Sequence, residues 1–167
     1  MTETRNYILS AATASKKLQR MAYEIVEQNM EDEGGLILAG IRENGVVLAN
    51  IIAGFLKDIY KGSIKVIEIT LNKRHPEKIN VSEEINFDGA VIILIDDVTN
   101  SGMTLLYALK PFLAYHPKKI QTLTLVERSH KLFPVTSDYV GISLASTLQE
   151  HIFVEVDEKQ VLGAYLV

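Results

Sequence analysis

Val91, Ile92, Ile93, Leu94 and Ile95 form an unbroken apolar run that stops at two adjacent aspartates, Asp96 and Asp97, followed by Val98-Thr99-Asn100-Ser101-Gly102-Met103-Thr104. A short apolar run without polar alternation is the pattern of a strand buried on both faces. Such a strand needs structure packed above and below it. Behind it, Leu105, Leu106, Leu109, Phe112 and Leu113 recur at helical spacing, and the pattern ends near His116-Pro117. The run therefore reads as strand, turn, helix, with the two carboxylates at the rim of the strand.

The same grammar repeats along the chain. Leu18, Met21, Ala22, Ile25 and Val26 fall on one helical face, predicting a helix over 11–29 with Ser10 as its N-cap. Leu36 to Ala39 is a second short apolar run, and Leu48, Ile51, Ile52, Phe55, Leu56 and Ile59 predict the helix after it. Residues 64–71 are β-branched and strand-like, and 120–126 is a further strand. Shorter strand candidates lie at 139–140, 151–156 and 164–167. Alternation of strands and helices predicts an α/β fold with a mostly parallel central sheet flanked by helices, in a single domain over 1–167. Residues 72–89 are polar, rich in turn formers and interrupted by Pro76, which marks a long flexible loop.

Composition excludes several chemistries. The chain has no cysteine, so disulfides, thiolate metal sites and cysteine nucleophiles are absent. Its net charge of −4 provides no general field for nucleic acid. Near Met1 no basic segment runs into a long apolar stretch, and no apolar run is long enough to span a bilayer. The expected location is cytoplasmic, with no membrane partner.

In parallel α/β sheets ligands bind beyond the carboxyl ends of the strands. Two loops leave such ends directly into helices: 40–45 and 96–102. The backbone N–H groups and hydroxyls of 99–104 suit a phosphate, and Gly102 lets the backbone approach closely. Carboxylates repel phosphate, so Asp96 and Asp97 beside such a cup point to sugar hydroxyls or a metal-bound water. Asp-Asp after an apolar strand also occurs in nucleotide hydrolases and receiver domains. However, no Gly-x-x-x-x-Gly-Lys-Ser/Thr loop is present, and the acid pair lies past mid-chain.

The segment from Val91 to Thr104 resembles the 5-phosphoribosyl-1-pyrophosphate (PRPP) signature of the type I phosphoribosyltransferases. That resemblance implies that Asp96 and Asp97 hold the ribose hydroxyls and that Thr99, Asn100, Ser101, Gly102, Met103 and Thr104 cradle the 5′-phosphate. Gly40-Ile41-Arg42-Glu43-Asn44-Gly45 looks like the family's pyrophosphate loop, with Arg42 catalytic beside the two acids, and Lys73 and Arg74 look like its flexible-loop cations. Val126-Glu127-Arg128-Ser129-His130 and Asp138-Tyr139-Val140-Gly141 resemble one branch, the bifunctional pyrimidine-operon attenuation proteins and uracil phosphoribosyltransferases. This implies a small C-terminal base-binding region at about 127–160, with Arg128, Tyr139 and Val140 beside the base. Tyr139 keeps a core reading as its alternative.

The implied ligands are PRPP, Mg2+ carried by it with no direct protein ligand, and a nucleobase. Uracil is favoured and hypoxanthine is second. The implied assembly is a homodimer or larger homo-oligomer. A PRPP- or nucleotide-sensing regulator bound to RNA is the rival and is not favoured. The sequence departs from that branch at Glu43-Asn44, where the attenuation proteins tend to carry a hydroxyl and a basic residue, and its flexible loop is short.

Overall fold

Ser10 closes the first strand and starts the first helix, its hydroxyl accepting from the N–H of Thr13 at 3.2 Å. A computed structural model describes residues 5–32, 34–72, 74–147 and 149–167. In chain order the elements are β1 (Asn6–Ser10), α1 (Ala11–Gln28), β2 (Leu36–Ile41), α2 (Arg42–Ile59), β3 (Ile64–Leu71) and β4 (Ile79–Val81). There follow β5 (Val91–Thr99), α3 (Met103–Ala108), a 3-10 turn at Lys110–Ala114, β6 (Lys119–Arg128), β7 (Tyr139–Leu144), β8 (Ile152–Val156) and β9 (Val161–Leu166).

The central sheet has six strands in the order β4-β3-β2-β5-β6-β7. All neighbours are parallel except β4, which pairs antiparallel with β3 at the edge. Residues on alternate sides of β5 explain its unbroken apolar run. Ile93 and Ile95 join the cluster under α1 and α2, with Leu18, Met21, Ile25, Leu48 and Ile52. Ile92 and Leu94 join the opposite cluster, with Leu105, Phe87 and Phe112. Burying each such side chain contributes roughly 1.5–3 kcal/mol, so the two-sided burial is a strong constraint on register.

A second, three-stranded antiparallel sheet, β1-β9-β8, forms a hood. β1 has no counterpart among the expected elements. It pairs with β9 across most of the chain, Tyr7 opposite Tyr165, and a five-residue strand formed only by long-range pairing leaves no local periodicity. Within the stretch expected to form the base side, β7 extends the central sheet and β8 belongs to the hood.

The helix expected through Leu113 is shorter. α3 spans only six residues before the 3-10 turn, because Pro111 lacks a backbone N–H and its ring disfavours continued α-helix. The long loop at 72–89 also contains structure, since β4 adds to β3 with Thr70 opposite Asn80. No helix among the described residues is long and apolar enough to cross a membrane.

Candidate functional site

β2 and β5 lie side by side at the centre of the sheet, yet they end at different levels. Their pairing stops at Gly40 opposite Ile95, while β5 continues against β6 as far as Thr99 opposite Glu127. The strand order also reverses here, since the chain runs outward from β2 to β3 and then returns to β5. Above this switch point one side of β5 is uncovered, and two cavities open there. The first, of about 460 Å³, is lined by Ile41, Arg42, Glu43, Asn44, Glu68, Thr70, Asp96 and Asp97. The second, of about 180 Å³, is lined by Val98 to Leu105 and again by Asp96.

The two glycines of the 40–45 loop have steric causes. A Cβ on Gly40 would lie 2.6 Å from the carbonyl oxygen of Gly45, and one on Gly45 would lie 2.6 Å from the carbonyl oxygen of Ile95. The strand end, the first turn of α2 and β5 thus meet backbone to backbone. Between the glycines, Arg42 sits at φ 53°, in the left-handed region. For a residue with a Cβ this conformation costs roughly 1–2 kcal/mol. The strain lies in the segment expected to hold pyrophosphate.

The acid pair is placed unequally. Asp96 is 3% exposed and sits inside the ladder opposite Thr124, and its Oδ1 accepts from the N–H of Asp97 at 2.9 Å. This corrects the expectation of two carboxylates at a solvent-facing strand end: β6 is long enough to carry β5 past both acids. Asp97 is half-buried, its Oδ1 accepting from the N–H of Val98 at 2.8 Å and its Oδ2 from Nδ2 of Asn44 at 2.8 Å.

All six residues expected to cradle a phosphate line the second cavity. Gly102 turns the chain at φ 85° before α3, a conformation that costs glycine nothing extra. Loop 129–135 braces the turn from behind, with the N–H groups of Leu132 and Phe133 both donating to the carbonyl of Ser101 at 3.0 Å. The Thr99 hydroxyl is not directed at the cup. It is buried 2.9 Å from the Thr124 hydroxyl, which in turn meets that of Ser137. Ser101 Oγ accepts from the N–H of Met103 at 3.2 Å.

Among the base-side residues, Tyr139 takes its core reading. Tyr139 is fully buried, its hydroxyl donating to Gln121 Oε1 at 2.9 Å beside Asn29, and burial pushes the phenol up to about 12. It is a core residue and cannot stack on a base, because alternation along β7 turns it toward α1. Val140 faces the other way, and its carbonyl accepts from Arg20 Nη2 at 2.9 Å. Arg128 is 6% exposed and lines neither cavity. Its guanidinium donates to the carbonyls of Thr147 at 2.6 Å and Glu150 at 2.7 Å, with a long 3.4 Å contact to Asn100 Oδ1. Arg128 thus fastens the segment after β7 to the phosphate turn. Among the described residues its Nε and the hydroxyl of Ser146 are buried without a partner.

Arg74 is exposed in a turn closed by Asn72 Oδ1 and lines neither cavity, and Lys73 lies outside the described residues. Glu68 and Thr70, on β3, line the first cavity and were missed. Their signal was present: they are polar residues at alternate positions within the β-branched run Ile64–Leu71. Among the described residues the first cavity is acidic, with Glu43, Glu68, Asp96 and Asp97 against one cation, Arg42. Its carboxylate oxygens are hard donors suited to a magnesium ion or its water shell. Among the described residues no group of three or more His, Asp or Glu is arranged to hold a metal ion.

This architecture is shared with solved phosphoribosyltransferases. The hypoxanthine phosphoribosyltransferase of Trypanosoma cruzi superposes with a TM-score of 0.76 at 14% identity, covering 95% of this chain and 96% of that one. A hypoxanthine-guanine phosphoribosyltransferase of Bacillus anthracis gives 0.68 at 19% identity, covering 85% and 84%. At such identities the likeness is one of fold. The sequence carries the relationship further: residues 6–159 match the phosphoribosyl transferase domain, and the chain belongs to that family. Among curated relatives it is 33% identical to the Bifunctional protein PyrR of Pelotomaculum thermopropionicum, over 95% of this chain and 92% of the relative. It is 30% identical to the Bifunctional protein pyrR of Enterococcus faecalis, over 91% and 90%.

Proposed function

We propose that this protein transfers the phosphoribosyl group of PRPP to a nucleobase, uracil foremost, releasing pyrophosphate. The observation that carries the reading is the meeting of two dissimilar cavities at Asp96. One is an acidic chamber suited to sugar hydroxyls, and the other is a backbone-lined cup suited to a monophosphate. A 5-phosphoribosyl group has those two ends.

In the reaction the bond between the anomeric carbon and pyrophosphate breaks, and its electron pair leaves with pyrophosphate. A base nitrogen supplies the pair for the new bond and gives up its proton to solvent. Asp97 and Asp96 hold the ribose and place their charges near the cationic anomeric centre. Arg42 offsets part of the leaving group's charge, and the 99–104 turn anchors the 5′-phosphate so that the sugar cannot drift. Magnesium bound with PRPP would supply Lewis-acid stabilisation of the departing pyrophosphate.

A second reading, a sensor that binds PRPP or a nucleotide with little turnover, is favoured by Glu43. This carboxylate lines the chamber beside the only arginine there, and it opposes a polyanion. Calorimetry in magnesium with PRPP, uracil, hypoxanthine, UMP and GMP, paired with an assay of UMP formation from PRPP and uracil, tests both. UMP formation supports the enzyme. PRPP or UMP binding without turnover supports the sensor. Failure to bind any phosphoribosyl compound overturns both.

A further inference from the structure

Asn44 occupies the first turn of α2, and its amide nitrogen reaches two acceptors from distant parts of the chain. One is Oδ2 of Asp97 on β5 at 2.8 Å, and the other is the backbone carbonyl of Val154 on hood strand β8 at 3.1 Å. Both neighbours can only accept. The amide therefore presents its NH2 to them, since the flipped orientation would set oxygen against oxygen. Both of its hydrogens are then committed, and the side chain is fixed at two points. Asp97 is fixed at two points as well, because its Oδ1 accepts from the N–H of Val98 at 2.8 Å. Each carboxylate oxygen retains acceptor capacity beyond these bonds.

We propose that Asn44 is a positioning residue that aims the Asp97 carboxylate at a ligand's ribose hydroxyls and ties that aim to the seating of the hood on α2 through the Val154 carbonyl. The proposal rests on the reading of Asp97 as a ribose-holding acid. A neutral amide suits the task. It orients the carboxylate without neutralising it, whereas a basic side chain at this position would form an ion pair that competes with hydroxyl donors. Asn44 is thereby assigned a task toward the sugar, although it lies in a loop expected to serve pyrophosphate.

The test compares UMP with 2′,3′-dideoxy-UMP, which keeps the phosphate and base but offers Asp97 no hydroxyl. Binding is measured by calorimetry for the wild type, Asn44→Ala, Asp97→Ala and the double variant. Asn44→Ala should weaken UMP about tenfold, the worth of one well-placed hydrogen bond. It should leave dideoxy-UMP unchanged and add nothing in the Asp97→Ala background. Equal weakening of both nucleotides, or of neither, overturns the positioning role. Should Asp97→Ala fail to discriminate the two nucleotides, the ribose reading itself falls, and this proposal falls with it. If Asn44→Ala does not fold, Asn44→Leu, of similar shape and without a donor, carries the same comparison.

Discussion

The backbone N–H of Asp97 donates to Oδ1 of Asp96 across 2.9 Å, so the first acid of the pair is folded back onto the chain that presents the second. The two carboxylates therefore differ in what their removal does. Asp97→Ala is expected to lower the affinity for PRPP or UMP about tenfold to a hundredfold, the loss of a charge-assisted hydrogen bond worth about 1.5–3 kcal/mol, with the fold intact. Asp96→Ala is expected to lower affinity and the melting temperature together, because the residue is buried in the ladder opposite Thr124. Calorimetry in magnesium with circular dichroism melts separates the cases. Unchanged affinity in Asp97→Ala removes the site assignment.

Glu43→Arg should strengthen binding of PRPP and of pyrophosphate. Glu43 is exposed at the mouth of the acidic chamber, so the change reverses a local charge with little effect on the core. A charge interaction at such a wet position is worth about 0.2–1 kcal/mol and weakens with salt. The gain should therefore be about twofold to fivefold and fade in high salt. UMP, which lacks pyrophosphate, should bind the variant about as it binds the wild type. A gain for UMP equal to that for PRPP would place pyrophosphate elsewhere.

Arg128→Ala should loosen the chain at Thr147 and Glu150 without opening the central sheet. Two of the guanidinium's bonds go to carbonyls of that segment, and hydrogen bonds to charged groups contribute about 1.5–3 kcal/mol each. Hydrogen exchange should rise around Thr147 and Glu150 and stay low in β5 and β6. Arg128→Lys should recover little of this, since one ammonium cannot reproduce the planar fork. Uniform protection in the alanine variant would show that the clamp is not needed.

Asp32 makes a pH-dependent contribution to stability. Its buried carboxylate accepts from Lys118 and, at 2.9 Å, from Lys119, and these bonds, that to Lys118 foremost, hold its pKa below the ordinary value. A depressed folded pKa gives stability that is present above the unfolded value and is lost as pH falls through the folded one. Asp32→Asn should therefore melt lower than the wild type at neutral pH. The gap should close on acidification below about pH 4, where the unfolded carboxyl begins to protonate. A gap independent of pH would mean that packing rather than charge is at work.

RNA binding should be weak at physiological salt. The chain carries net charge −4, and Arg20, the arginine of α1, is committed to Glu24 and to the carbonyls of Val140 and Gly141. Phosphate contacts dominate nucleic-acid affinity, so a net-acidic chain whose α1 keeps only Lys16 and Lys17 outside its ion pairs offers a small local patch and no general field. Tight, sequence-selective retention of an RNA in filter binding would overturn this expectation.

Elements made by short-range patterns were legible in the sequence alone. The apolar runs of β2 and β5, the stripes of α1 and α2 and the Ser10 cap are local, and the Asp96-to-Thr104 turn is contiguous, so one stretch of chain carried the strand, the acids and the cup. The two glycines of 40–45 were legible as a loop, while their reason, backbone approach to Ile95 and Val46, appears only once β2, α2 and β5 are packed. What tertiary structure decided depends on partners far away in the chain. β1 exists because β9 pairs with it. β5 runs past Asp96 because β6 accompanies it, which buries an acid expected to face solvent. Tyr139 belongs to the core because β7 turns it toward Asn29 and Gln121, although its neighbours in sequence read as a base-binding motif. Asn44 meets Asp97 only through the packing of α2 on β5, and Val154 only through the closure of the hood. Local periodicity reports which face of an element is apolar. Register, strand length and the choice of hydrogen-bond partner are set by the free energy of the assembled layers, and no window of sequence contains them.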